Sequence, residues 1–404
     1  MRPLKIVMLT TFYPPYHLGG DALHVYYLSN ELAKLGHEVH VIHSIDAYYL
    51  NRRKTPSGDY PNHGRVSLHP LKSKLGIIAP LVCGFAGLSH PLASKALELV
   101  REIQPDVVHH HNIVGFGPGI LGARAPKVFY TAHDYWLICP RNNLLKPDKT
   151  FCDRRRSCFA CCLLWKRPPQ LWRYTGLLDK KLSNIDAIIA PSDYMKRTLE
   201  GAGISYPVVT IHNFVPEPEE AGEPIYRFPY FLFVGLLEEH KGVLKLVEAF
   251  CQAREEIDAN LLIVGSGSLK NRLHQVIAQN GCQDRVKLLG KISDRRVLTN
   301  LYANALTLVI PSIWPESASL DALEALACGT PLIASNQGGL PEIVESINPQ
   351  LVFSEGSITL LADTFKSFDR TNYDRNEIRQ IARERYSAER FIHIYLGLVS
   401  SQSE

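Results

Sequence analysis

Two carboxylates eight residues apart sit in the segment Pro311-Ser-Ile-Trp-Pro-Glu316-Ser-Ala-Ser-Leu-Asp-Ala-Leu-Glu324-Ala-Leu-Ala-Cys-Gly-Thr-Pro331. An apolar run ends at Ile310 and helical periodicity begins near Ser319, so the segment reads as strand, loop and helix. The first-turn N–H groups at Ser319 and Leu320 have no helical acceptors and carry the positive end of the helix dipole. They suit an anion such as a diphosphate. Glu316 precedes the helix, where it can accept hydrogen bonds from sugar hydroxyls. Glu324 lies one to two turns inside, where it can accept from a ribose. The plainer alternative makes Glu316 a cap and Glu324 a solvated side chain. The apolar flanks of Glu324, Ala322-Leu-Glu-Ala-Leu-Ala, weigh against that.

A second cluster of chemistry is Val234-Gly235-Leu236-Leu-Glu-Glu-His-Lys241-Gly242, a strand end followed by a glycine and a lysine. Lys241 is either a solvated lysine at a helix start or a cation placed beside a phosphate. Gly19-Gly20, after Tyr13-Pro-Pro-Tyr-His-Leu, lets the backbone approach a phosphate or an acceptor closely. Gly265-Ser-Gly267 follows another strand but lacks the third glycine of a dinucleotide fingerprint. His133 ends the expected strand Val128–His133, the edge at which parallel sheets bind ligands.

Metal chemistry has little support around these residues. No Asp-x-Asp pair occurs in the chain. His109-His110-His111 run along a strand, so neighbouring rings point to opposite faces. Cys139, Cys152, Cys158, Cys161 and Cys162 fall close together. Cys139, Cys152, Cys158 and Cys161 are a candidate structural zinc set, and a group of buried reduced thiols is the alternative. Disulfides are the weaker expectation for a cytoplasmic chain.

The elements must position these groups. The chain has 404 residues, 46% of them hydrophobic and 21% charged, enough for two domains. A net charge of +4 suits anionic small molecules or an acidic membrane surface, and no Lys/Arg block points to nucleic acid. The N-terminus reads as a strand and not as a secretory leader, and no apolar run is long enough to span a bilayer. These features predict a cytoplasmic protein, peripheral to the inner face of a membrane at most. Two segments carry that membrane expectation: Lys72–Leu92, and Leu163-Leu-Trp-Lys-Arg-Pro-Pro-Gln-Leu-Trp-Arg-Tyr, which mixes basic and interfacial aromatic residues.

Strands are expected at Ile6–Thr10, Val39–His43, Asp106–His110, Val128–His133, Ala187–Ala190 and Val208–Ile211. The linker Pro216–Pro229, with four prolines and four acidic residues, follows. The alternation then restarts with strands at Phe231–Val234, Leu261–Val264, Val286–Leu289, Leu306–Ile310 and Pro331–Ala334. Helices at Ala22–Leu35, Asp193–Glu200, Val243–Ala253, Leu269–Gln279, Arg295–Ala303 and Leu320–Cys328 alternate with them. Short Val/Ile/Leu-rich strands separated by helices predict an α/β chain with two parallel sheets.

The segment from Glu316 to Glu324 resembles the Glu-x7-Glu motif of retaining glycosyltransferases of family 4. Gly329-Thr-Pro331 and Gly338-Gly339-Leu-Pro-Glu342 are similar to the family's continuation, and the other motifs occur in the family's order along most of the chain. The resemblance implies the GT-B fold. That means Rossmann-like domains at 1–215 and 225–380 across an interdomain cleft, and a C-terminal helix (residues 381–404) crossing back to the first. It implies acceptor binding by the first domain and nucleotide-sugar binding by the second. Gly19, Gly20, Gly235, Lys241, Gly265, Lys291, Ile292, Ser319, Leu320 and Glu324 become donor-binding residues. Glu316 and His133 become catalytic. One departure stands out: Leu236 replaces a family arginine that meets the diphosphate. Lys245, Lys291 and Arg295 are candidate substitutes. The implied reaction is metal-independent, retaining hexosyl transfer, with UDP-glucose as donor and a saccharide or lipid-linked saccharide as acceptor. A silent sugar-nucleotide binder and a sugar-nucleotide epimerase are the alternatives.

Overall fold

The computed structural model describes residues 2–401 apart from 52–54, 57, 75, 79–86, 88–90, 149, 153–157 and 355. Most of the apolar stretch 72–92 lies outside the described residues. The chain divides into two compact units, Met1–Asn213 with Phe391–Glu404, and Phe214–Arg390.

The first unit is built on seven strands: β1 (Lys5–Thr10), β2 (Glu38–Ser44), β3 (Val66–Leu71), β4 (Val107–His110), β5 (Lys127–Thr131), β6 (Ala187–Ala190) and β7 (Val208–Thr210). All pair in parallel, in the order β3-β2-β1-β4-β5-β6-β7. The apolar runs form the central strands because both faces are covered, and β4 and β6 are buried along their whole length. β3 escapes sequence reading because it is an edge strand with an exposed, polar pattern and a proline, Val-Ser-Leu-His-Pro-Leu. β5 ends at Thr131, so His133 lies just past the strand and not within it.

The second unit has six parallel strands: β8 (Tyr230–Val234), β9 (Asn260–Val264), β10 (Val286–Gly290), β11 (Thr307–Ile310), β12 (Leu332–Ser335) and β13 (Val352–Phe353). Their order is β10-β9-β8-β11-β12-β13. The order reverses between β1 and β4 in one sheet and between β8 and β11 in the other. Loops leaving the carboxyl ends of such strand pairs diverge and leave a crevice. The helices that matter below are α1 (Gly20–Lys34), α2 (Cys158–Leu164), α3 (Val243–Ala253), α4 (Arg295–Asn304), α5 (Leu320–Ala327) and α6 (Ala388–Ser400).

The proline-rich stretch after Asn213 is fastened to the second unit. Asn300 accepts from Ile225 N at 3.0 Å and donates to Glu223 O at 2.7 Å. The chain re-enters the first unit in α6, where Phe391, Ile392 and Tyr395 are buried. Tyr395 stacks on His109 and Phe391 packs edge-on to His24. Cys251 on α3 and Cys282 are joined by a disulfide in the second unit. Among the described residues no helix is long and apolar enough to cross a membrane.

Gly242 shows how tightly the second unit is drawn together at its switch point. Its φ is +70°, and a Cβ there would lie 1.9 Å from Pro311 O. Gly242→Ala is expected to cost about 2–4 kcal/mol, from the left-handed conformation plus the steric clash. Gly203→Ala also has positive φ but meets open space, and should cost only about 1–2 kcal/mol. Denaturant unfolding of the two variants checks the difference.

Candidate active site

The site in the second unit is assembled from loops that leave β8 and β11. After β8 the backbone turns at Gly235 and enters a short 3-10 turn, Glu239–Lys241. Leu237 N donates to Ser266 O at 3.1 Å, and Gly265 N to Gly290 O at 2.8 Å, so the loops after β8, β9 and β10 form one hydrogen-bonded platform. After β11, Ile313 N donates to His240 O at 2.9 Å, which ties the two switch-point loops to each other.

That tie brings Lys241 to Glu316. The Lys241 ammonium donates to Glu316 Oε1 at 2.5 Å, and Ser312 Oγ donates to the same oxygen at 2.6 Å. Glu316 is buried. Its backbone is held from the other side by Gly338 and Gly339. Gly339 N donates to Glu316 O at 2.8 Å, and a Cβ on Gly338 (φ +66°) would lie 2.1 Å from that oxygen. Burial alone would push the Glu316 carboxyl up. Lys241 and the hydrogen bonds to its oxygens outweigh burial and hold it below the ordinary carboxylate range. Glu316 is therefore a charged carboxylate at neutral pH, and not a mere helix cap. The capping is done by Ser319, whose Oγ accepts from Ala322 N at 3.3 Å at the start of α5.

Glu324 has a different partner. It pairs with Arg295 on α4 at 3.3 Å, and both line a shallow surface pocket with Pro216, Thr299 and Tyr302. Asp321, between the two glutamates, is pushed up to about 7 by burial and by Glu324. Leu320 is half-buried on the first turn of α5. Lys291 is exposed and Ile292 half-buried, just after β10 at the sheet edge. Of the candidate replacements for the absent arginine, Lys245 donates to Gly356 O at 3.3 Å and Arg295 is engaged by Glu324. Ser312, His240 and Asp321 were not singled out from sequence. His240 packs edge-on to Trp314 and is held below the ordinary histidine range, by burial first and then by Lys241. Nothing in their spacing marks them, because the contacts join separate loops.

The first unit carries its own polar cluster at the end of β4 and β5. Gly19 is extended and caps α1, and Gly20 is its first residue. His133 Nε2 lies 3.0 Å from His111 Nδ1, and the His109 and His111 rings are 3.9 Å apart. His24 packs on His133. Burial drives His133 down to about 3 and His24, His109 and His111 well below the usual histidine range. Beside them Asn112 donates to Asp21 at 3.0 Å, while Asp134 is pushed up to about 7, by burial first.

Cys139, Cys152, Cys158 and Cys161 are all half-buried. Burial first, and then the neighbouring cysteines, push the Cys158 thiol up to about 11. Among the described residues no group of three or more His, Cys, Asp or Glu is arranged to hold a metal ion.

The geometry now has counterparts among known proteins. The family described as "Glycosyltransferase Family 4" matches residues 18–217, and that described as "Glycosyl transferases group 1" matches residues 219–385. The chain belongs to glycosyltransferase family 4. An uncharacterized glycosyltransferase of Methanocaldococcus jannaschii is 27% identical over 85% of this chain and 83% of its own. Sucrose-phosphate synthase from Thermosynechococcus elongatus superposes with a TM-score of 0.71 at 18% identity, over 99% of this chain and 100% of that one. Anabaena HepE in complex with UDP and glucose gives 0.67 at 18%, over 98% and 100%. These likenesses establish the GT-B fold for this family 4 glycosyltransferase.

Two outcomes follow from the charges. Lys241→Ala strands a buried carboxylate and should cost about 3 kcal/mol. Adding Glu316→Gln should restore most of that loss, and a double-mutant cycle in denaturant measures the coupling. The histidines bind no proton when folded until pH falls far below 6.5, whereas unfolded histidines protonate near 6.5. Stability should therefore decline as pH falls from about 6.5 towards 3. His24→Phe should flatten that slope between pH 6.5 and 5 in thermal unfolding.

Proposed function

We propose that this glycosyltransferase moves a hexose from a nucleoside diphosphate sugar, UDP-glucose as first candidate, to a saccharide or lipid-linked saccharide, with retention at the anomeric carbon. The second unit is the donor domain and the first the acceptor domain. The observation that carries this reading is the Lys241–Glu316 pair, where a buried carboxylate and an ammonium meet beside the start of α5. The bound UDP and glucose of Anabaena HepE support a uridine donor by likeness of fold.

In this reading Lys241 leaves Glu316 for the donor diphosphate, joined by the first-turn N–H groups of α5. Glu316 then accepts hydrogen bonds from the sugar hydroxyls. Glu324 holds the ribose, and the backbone near Lys291 and Ile292 meets the base. The acceptor hydroxyl oxygen forms a bond to the anomeric carbon as the bond from that carbon to the diphosphate breaks. The acceptor proton passes to the leaving phosphate oxygen on the same face. The protein contributes charge already in place: one ammonium and a helix terminus, both fixed before the diphosphate departs.

Leu236 favours a second reading, a protein that binds sugar nucleotide without transferring it. The missing arginine removes a charge-assisted hydrogen bond worth roughly 1.5–3 kcal/mol.

A thermal-shift screen against nucleoside diphosphate sugars separates these readings. One donor at about a hundred times its Kd should raise Tm by roughly 5 °C, and Lys241→Ala should abolish the rise. Leu236→Arg should tighten donor binding about tenfold or more. Donor binding without hydrolysis or transfer to any glycan acceptor, in wild type and Leu236→Arg alike, would favour the silent binder.

A further inference from the structure

Eleven large apolar side chains stand exposed among the described residues, and six of them fall between Phe151 and Tyr174. Phe159, Leu163 and Leu164 lie on α2 at 47%, 53% and 70% exposure, and Leu171 and Tyr174 on the next turn at 55% and 60%. The two turns are adjacent in space. Arg167 N donates to Cys162 O at 2.8 Å, and the Tyr174 hydroxyl meets the backbone of Phe159. Lys166 and Arg167, between them, are exposed. From Cys158 to Leu178 the sequence contains no acidic residue.

This apolar face is held out on a firm base. Trp172, between Leu171 and Arg173, is buried against Trp136 with ring centroids 5.9 Å apart. Arg173 turns inward, donates to Trp136 O at 2.7 Å and to Leu137 O at 3.3 Å, and lies over both tryptophan rings. Arg141 covers the Trp165 ring at 3.6 Å. Arg173 and Arg141 turn onto the tryptophans and backbone beneath, while leucines, a phenylalanine and a tyrosine are left facing water. An apolar patch that carries the exposed cations Lys166 and Arg167, in a segment without acidic residues, matches the interface of an anionic bilayer, where apolar side chains enter the acyl boundary and Lys and Arg meet phosphate headgroups.

We propose that α2 and the turn Leu171–Tyr174 form a docking surface for anionic lipid bilayers. Leu163, Leu164 and Tyr174 insert, and Lys166 and Arg167 bind the headgroup phosphates. The occupant is a bilayer and not a protein partner, because the patch combines interfacial residues with one sign of charge over its whole length.

The test is co-sedimentation of the full-length chain with vesicles of phosphatidylcholine alone or mixed 3:1 with phosphatidylglycerol. No nucleotide sugar is added, so the result is independent of the transferase reading. Wild type should pellet with the anionic vesicles at least tenfold better than with neutral ones, and should be released by high salt. Leu163→Glu with Leu164→Glu, and separately Lys166→Glu with Arg167→Glu, should each lower binding at least tenfold while Tm stays within a few degrees of wild type. Absence of wild-type binding to anionic vesicles overturns the proposal, as does binding unchanged in either double variant. A dimer by light scattering that Leu163→Glu with Leu164→Glu dissociates also overturns it, because the patch would then face a second copy of the chain.

Discussion

A buried carboxylate is tolerable only where a cation and hydrogen-bond donors stand ready around it, and in the second unit that requirement governs three loops at once. Glu316 needs the Lys241 ammonium and the Ser312 hydroxyl. Lys241 needs the 3-10 turn after β8, and that turn needs Gly242 to pass under the Pro311 carbonyl. Gly338 is held against the Glu316 backbone for the same reason. Charge, close approach and sheet topology are thus one arrangement. The crevice between β8 and β11 supplies the place, the glycines allow the approach, and the ion pair keeps two oppositely charged groups fixed in a partly dry site.

The first unit solves a different problem. Its sheet also reverses order between β1 and β4, but the residues gathered there are neutral rings. His24, His109, His111 and His133 stack around the end of β4 and β5, and Phe391 and Tyr395 of α6 close over His24 and His109. A desolvated imidazole stays uncharged, so the cluster can pack as an aromatic core while keeping hydrogen-bonding nitrogens. The two units therefore share one topology and differ in electrostatic character. One carries a buried charged pair, and the other a cluster of neutral rings with Asp21 and Asp134 beside it.

What the sequence determined by itself is the list of elements and the chemistry of the motifs. Short apolar strands buried on both faces announce themselves, and the central strands of both sheets were legible for that reason. The loop positions of Glu316 and Lys241 were legible because strand–loop–helix spacing places them just past β11 and β8. The edge strand β3 and the two-residue β13 were not, since an exposed or very short strand leaves no apolar run. His133 fell just beyond its strand because an apolar pattern does not mark the last hydrogen-bonded residue.

Only the tertiary structure decided which groups meet. That Lys241 pairs with Glu316, while Glu324 pairs with Arg295, depends on parallel strands far apart in sequence lying side by side. Ser312 and His240 gain their places through loop-to-loop contacts that no local spacing encodes. The same holds for the face around α2. Leu163 and Trp172 are both large and apolar on paper, yet burial puts Trp172 into the core and leaves Leu163 in water. Side-chain type is a property of the chain, but exposure and charge pairing are properties of the packed neighbours, and those exist only after the fold has formed.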